Sequence, residues 1–156
     1  MHGLQEYIIP YSISQVISII ILFLSWKKPT WARISLSVLF LYAGIYNLYI
    51  GINKPDEYLG FAKLALPFYR DFILGWFNNN NHIMIPLIAI GQLAAGIGIL
   101  LRNTVAKIAC IGMIAFLLGI ASLMVGSAFP FSITVSLGII MILRKGKMNF
   151  VWKNNY

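Results

Sequence analysis

Five apolar stretches separated by short polar connections govern what this chain can fold into. They run from about Ile8 to Ser25, Ile34 to Ile52, Ile83 to Leu101, Val105 to Val125 and Phe129 to Leu143, and none holds an acidic residue or a histidine. At ~1.5 Å per helical residue the first four can reach across ~30 Å of hydrocarbon. The fifth is the shortest and opens at Phe129-Pro130, a proline suited to the first turn of a helix. A tight turn at Gly126-Ser127-Ala128 is expected to join it to the fourth. Hydrophobic residues make up 60% of the 156 residues and charged residues 10%, against ~25% charged in soluble domains. So short a chain has too little interior to hide that much apolar surface from water. The expected fold class is all-α, a transmembrane helical bundle of five spans, with membrane lipid as its surroundings.

Charge gives an independent test of the span count. Lys27, Lys28 and Arg33 follow the first stretch, Arg102 and Lys107 lie where the third gives way to the fourth, and Arg144, Lys145, Lys147 and Lys153 follow the fifth. The alternate connections hold Lys54, Lys63 and Arg70 together with all 4 acids, Glu6, Asp56, Glu57 and Asp71. Basic connections stay on the cytoplasmic side. The pattern predicts an N-terminus outside, a C-terminus in the cytoplasm and an odd number of spans, in a bacterial inner (plasma) membrane. His2 and Glu6 before the first stretch do not make a basic leader, so a retained first helix is expected. The net charge of +8 forms no continuous stripe, and nucleic acid is not an expected partner. The C-terminal bases are placed to meet anionic lipid headgroups.

The connection from Asn53 to His82 is unusually rich in rings, with Tyr58, Phe61, Phe68, Tyr69, Phe72, Trp76 and Phe77. Asp56, Gly60, Lys63, Pro67, Arg70 and Asp71 recur close to the helical period. That pattern predicts an amphipathic helix pair in the outer interface, broken near Pro67. The run Asn78 to Asn81 is expected to cap or turn the chain before the third span. Such an element either anchors the bundle or forms a lid over an outward-facing cavity.

Small residues recur at spacings of 3 and 4: Gly112, Ala115, Gly119, Ser122 and Gly126 in the fourth stretch, Gly91, Ala95 and Gly98 in the third, Gly44 and Gly51 in the second. They predict close helix contact within one bundle, or a homo-oligomer face. Asn47 and Gln92 are the polar side chains that stand out inside spans. Each needs a hydrogen-bond partner there. Either they bond each other or a backbone carbonyl across helices, or they line a pocket for the polar head of a lipophilic ligand. Tyr42, Tyr46 and Tyr49 would help to line such a pocket. Arg70 and Asp71, neighbours in sequence, are expected to point apart, and Arg70 to meet solvent or a lipid headgroup or to join Asn47, Gln92, Tyr46 and Tyr42 as a candidate ligand-binding residue. Cys110, the only cysteine, is expected to be buried. No metal cluster, haem-ligand pair, phosphate loop, nucleophile–base set or intramembrane acid pair is visible.

The stretch Ala32 to Tyr49, ARISLSVLFLYAGIYNLY, resembles the first span of DoxX-like membrane proteins, whose helix opens with an Arg and ends in a Gly followed by polar residues. Ile85 to Met113, IPLIAIGQLAAGIGILLRNTVAKIACIGM, resembles their second span and the short basic turn after it. The resemblance covers roughly Arg33 to Leu143. It implies a single membrane domain, 1–156, with an extra N-terminal helix (1–31), a four-helix core (32–143) and a basic cytoplasmic tail (144–156). Gln92 stands where the family often has Glu, and Tyr46-Asn47 where a Lys often follows the Gly, so an amide pair would replace an ion pair. Some relatives of that kind take part in quinone-linked oxidoreduction, and the resemblance lends a fold more than an activity.

These features predict a non-catalytic membrane subunit or scaffold bound to a membrane or redox protein partner. The alternatives are a binder of a lipophilic molecule, quinone or lipid, and the membrane subunit of a quinone-linked oxidoreductase. No bound cofactor is required by the residues, and no enzyme activity is expected of the chain alone.

Overall fold

Pro29 sits at the first position of a helix, where its missing N–H would have had no partner anyway. Lys28 alone therefore separates helix α1 (His2–Lys27) from helix α2 (Pro29–Asn53). A computed structural model of the chain describes residues 2–63, 65–123, 129–146 and 148–152. The expected turn at Gly126-Ser127-Ala128 lies outside the described residues. After α2 come a 3-10 helix (Pro55–Lys63), the short α3 (Pro67–Phe72), a π-helical turn (Ile73–Phe77), α4 (Asn78–Gly98), α5 (Asn103–Ala121) and α6 (Phe131–Arg144). The described residues contain no strand.

Helix α1 packs on α2, α2 on α4, α4 on α5, α5 on α6, and α6 back on α1. The five long helices thus close a ring around Leu36, Phe40, Met113, Leu117, Val135 and Ile139. Cys110 is buried there, as expected. The outside of the ring is apolar too: Ile9, Val16, Ile19, Phe23, Ile108 and Ile111 are exposed. A water-soluble protein does not present such a surface. Four helical stretches are long and apolar enough to cross a membrane: Ile8–Lys27, Pro29–Asn53, Pro67–Gly98 and Asn103–Ala121. The fifth expected span is a 14-residue helix, about 21 Å long at 1.5 Å per residue.

The reading of Asn53–His82 needs correcting. Two helical pieces do flank Pro67, but no turn separates the second from the third span at Asn78–Asn81. From Pro67 the chain stays helical to Gly98, 32 residues, widening to a π turn at Ile73–Phe77 on the way. The asparagines continue the helix because their amides find partners there: Asn80 Nδ2 donates to Trp76 O at 2.8 Å and Asn81 Nδ2 to Asp56 Oδ1 at 3.0 Å. The first bond is local to the helix and the second is tertiary, and together they override a turn preference that is only a tendency. The break expected near Pro67 is present, since the 3-10 helix ends at Lys63 and a new helix starts at Pro67.

The small residues divide into two sets. A Cβ on Gly44 would lie 2.8 Å from Leu93 Cγ, and one on Gly51 2.8 Å from Ile85 Cγ2. Gly96 and Gly98 are equally tight against Leu41 and Ala109. These glycines let α2, α4 and α5 approach closely. Gly91, Gly112 and Gly119, expected to do the same, meet nothing within 4 Å. Helix α5 instead turns Ala106, Cys110, Met113 and Leu117 to the core, because larger side chains bury more apolar surface.

Arg33 also needs correcting. It is not a loop residue but lies inside α2, 5% exposed. Its Nε donates to Ile99 O at 2.8 Å, Nη1 to Asn149 O at 2.7 Å, and Nη2 to Leu101 O. A guanidinium carries five N–H groups in a planar fork, and here it caps the carboxyl end of α4, where carbonyls are unpaired and the helix dipole is negative. The tail after α6 closes over this end: Asn103 N donates to Met148 O at 2.7 Å and Val151 N to Leu100 O at 3.2 Å.

Candidate functional site

Asn47 lies about four turns along α2 from Arg33, at the other end of the α2–α4 contact. The stripe that α2 turns to α4 includes Arg33, Ser37, Gly44, Asn47 and Gly51, with Ser37 Oγ donating to Gly96 O at 2.6 Å. Asn47 Nδ2 donates to Gln92 Oε1 at 2.6 Å. The hydroxyl of Tyr58, on the 3-10 helix, donates to Asn47 Oδ1. The three side chains form a relay across α2, α4 and the connection between them.

This relay borders a cavity of about 620 Å³, within the range of small-molecule sites. Helix α2 contributes Phe40, Tyr42, Tyr46 and Asn47; the 3-10 helix Glu57, Tyr58 and Phe61; α3 and the π turn Tyr69, Phe72, Ile73 and Phe77. Met84, Ile88 and Gln92 come from α4, Phe116, Leu117 and Ile120 from α5, and Phe131 from α6. Most of the lining is aromatic or aliphatic. Tyr42 and Tyr46, both more than half exposed, flank the opening.

Three contacts hold the 55–66 segment over the cavity. They are Asp56 with Asn81, Tyr58 with Asn47, and Leu66 N donating to Ser122 O at 3.2 Å. The π turn behind it widens the helix and supplies Ile73 and Phe77 to the wall. Phe68, Tyr69, Phe72, Trp76 and Phe77 are linked through successive ring contacts. Burial, followed by the proximity of Tyr46 and Glu57, pushes the Tyr58 phenol up to about 12. It is a neutral donor at any ordinary pH.

Glu57 is the one ionisable acid in the lining, and it faces Lys54 Nζ at 3.4 Å. Among the described residues no Lys, Arg or His lines the cavity. Among the described residues there is no cluster of side chains that would hold a metal.

Of the residues singled out in the sequence, the structure brings Asn47, Gln92, Tyr46 and Tyr42 to one cavity. Tyr49 is not among its lining residues and lies exposed on α2. Arg70 does not line it either: it is exposed, and its Nε lies 3.8 Å from Asp71 Oδ1, so these two approach each other rather than pointing apart. Tyr58, the third member of the relay, escaped sequence reading as an individual because its signal was one ring among many. Comparison of the chain with protein-family models, with curated proteins and with solved structures gave no match.

Proposed function

We propose that this protein is a membrane-embedded binder of a lipophilic molecule with a small polar head. The observation that carries this reading is the cavity, an aromatic and aliphatic chamber of about 620 Å³ with the Asn47–Gln92–Tyr58 relay in its wall. The two alternatives for Asn47 and Gln92 are compatible, since they bond each other and border a pocket. A scaffold needs only the first.

We further propose five crossings in a bacterial inner (plasma) membrane, N-terminus outside and C-terminus in the cytoplasm. In support, α6 begins with Phe131 at the cavity and ends where Lys145 Nζ meets Trp26 O at the close of α1. A crossing by so short a helix would be completed by flanking residues or by local thinning of the bilayer. The bases Lys27, Lys28, Arg102 and Lys145 lie by the helix ends near Arg33, as the positive-inside tendency requires. Kinship with DoxX-like proteins stays part of the proposal. The first stretch that carries the resemblance lies in α2 and the second runs from α4 into α5, with the amide pair between α2 and α4.

Native mass spectrometry of protein extracted in mild detergent, followed by organic extraction, tests the binding reading. One lipophile at stoichiometric occupancy is expected, with occupancy reduced in the Asn47→Leu, Gln92→Leu variant. Bare protein, or bulk lipid in the proportions of the membrane, would overturn the reading and leave a non-catalytic scaffold or subunit.

A further inference from the structure

We infer that the cavity's occupant is a neutral lipophile whose head accepts hydrogen bonds, such as a ketone or ester carbonyl, rather than a carboxylate, phosphate or ammonium. This rests on the binding reading of the same cavity and specifies its ligand.

The argument begins with the protons of the relay. A tyrosine hydroxyl has one to donate and each primary amide has two. Tyr58 gives its proton to Asn47 Oδ1, and Asn47 gives one of its own to Gln92 Oε1. The second N–H of Asn47 and both N–H groups of Gln92 make no hydrogen bond among the described residues. Rotating both amides reverses the relay but leaves the same number of protons uncommitted. Gln92 is only 4% exposed and borders the cavity. Orphaned N–H groups are rarer in proteins than carbonyl oxygens with a lone pair to spare. In a hydrocarbon setting the remaining demand is therefore for an acceptor.

Charge narrows the class further. A carboxylate or phosphate would also accept, but the described residues of the lining offer no Lys, Arg or His to balance it and include Glu57. A charge buried without a partner is strongly disfavoured. An ammonium would bring more donors to a wall whose own amide N–H groups still lack acceptors, and Glu57 is held by Lys54. A carbonyl on a hydrocarbon chain satisfies both conditions, its chain lying among Phe40, Phe61, Phe72 and Phe116.

The test compares four probes of equal chain length, a methyl ketone, an alkane, a fatty acid and an alkylammonium, by native mass spectrometry of the purified protein in detergent. The ketone is expected to bind about fivefold more tightly than the alkane, as one or two neutral hydrogen bonds allow, and the two charged probes more weakly than either. In the triple variant Asn47→Leu, Tyr58→Phe, Gln92→Leu the ketone should lose its advantage and the alkane should keep its affinity. That variant removes every relay partner together, which disturbs a fold less than leaving one partner stranded; the wild-type ranking decides independently of it. Equal binding of ketone and alkane, or a preference for a charged probe, would overturn the carbonyl assignment and leave the lipophile-binding reading standing. Failure of all four probes to bind would overturn both.

Discussion

The two ends of the α2–α4 contact use polar side chains in opposite ways. At one end Arg33 is enclosed, and its donors meet the carbonyls of Ile99, Leu101 and Asn149. At the other end Asn47, Gln92 and Tyr58 join one another but keep donors uncommitted beside a cavity. Satisfied polar groups packed without space fix a structure. Polar groups with capacity left, placed beside space, suit a ligand. The difference marks the Arg33 end as architecture and leaves the Asn47 end with the donors and space that the proposed binding needs.

Removing Arg33 should have the largest effect on this contrast. Arg33→Leu strands three carbonyls and frees the tail, and a loss of about 3 kcal/mol is expected, since hydrogen bonds to a charged group contribute ~1.5–3 kcal/mol each. Arg33→Lys should recover only part, because an ammonium lacks the planar fork. Thermal unfolding in detergent reads both. Equal stability of Arg33→Leu and the parent would break the architectural half of the comparison.

A smaller effect separates the two sets of glycines. Gly44→Ala drives a Cβ to 2.8 Å from Leu93 Cγ and should cost about 1–3 kcal/mol through overpacking. Gly119→Ala meets nothing within 4 Å and should stay within about 0.5 kcal/mol of the parent. The same unfolding assay ranks them. A large loss at Gly119 would mean that this face is covered by a partner or a second copy.

The smallest effect is on titration. Burial raises the Tyr58 phenol to about 12 in the folded protein, while its unfolded value is ~10. Folding therefore favours the protonated form. The contribution is fully present below pH ~10 and is lost as pH rises through about 12. Phenolate absorbance, read as the difference between the parent and Tyr58→Phe, should show Tyr58 titrating at about 12. Titration of Tyr58 near the unfolded value of ~10 would mean that the relay is open to water.

Much of the architecture was legible because long apolar runs and charge segregation are statements about solvent. They do not depend on which helix meets which. Gly44, Asn47 and Gly51 shared a helical face, and that face does pack on α4. Local signals failed where tertiary partners decided the outcome. Asn78–Asn81 reads as a turn until Trp76 O and Asp56 accept from Asn80 and Asn81. Arg33 reads as a topological charge until three carbonyls surround it. At the site, Asn47 and Gln92 stood out because amides are rare in apolar helices. Tyr58 did not, because its role depends on how the 3-10 helix folds back over α2.

A photoreactive alkyl ketone, cross-linked to the protein in lipid vesicles and mapped by peptide mass spectrometry, tests the central claim most directly. The account predicts labels concentrated at Tyr42–Asn47, Glu57–Phe61 and Ile88–Gln92, suppressed by excess unlabelled ketone. Labels confined to the exposed outer faces, at residues such as Val16, Phe23, Ile108 and Ile111, and not suppressed by competitor, would contradict it.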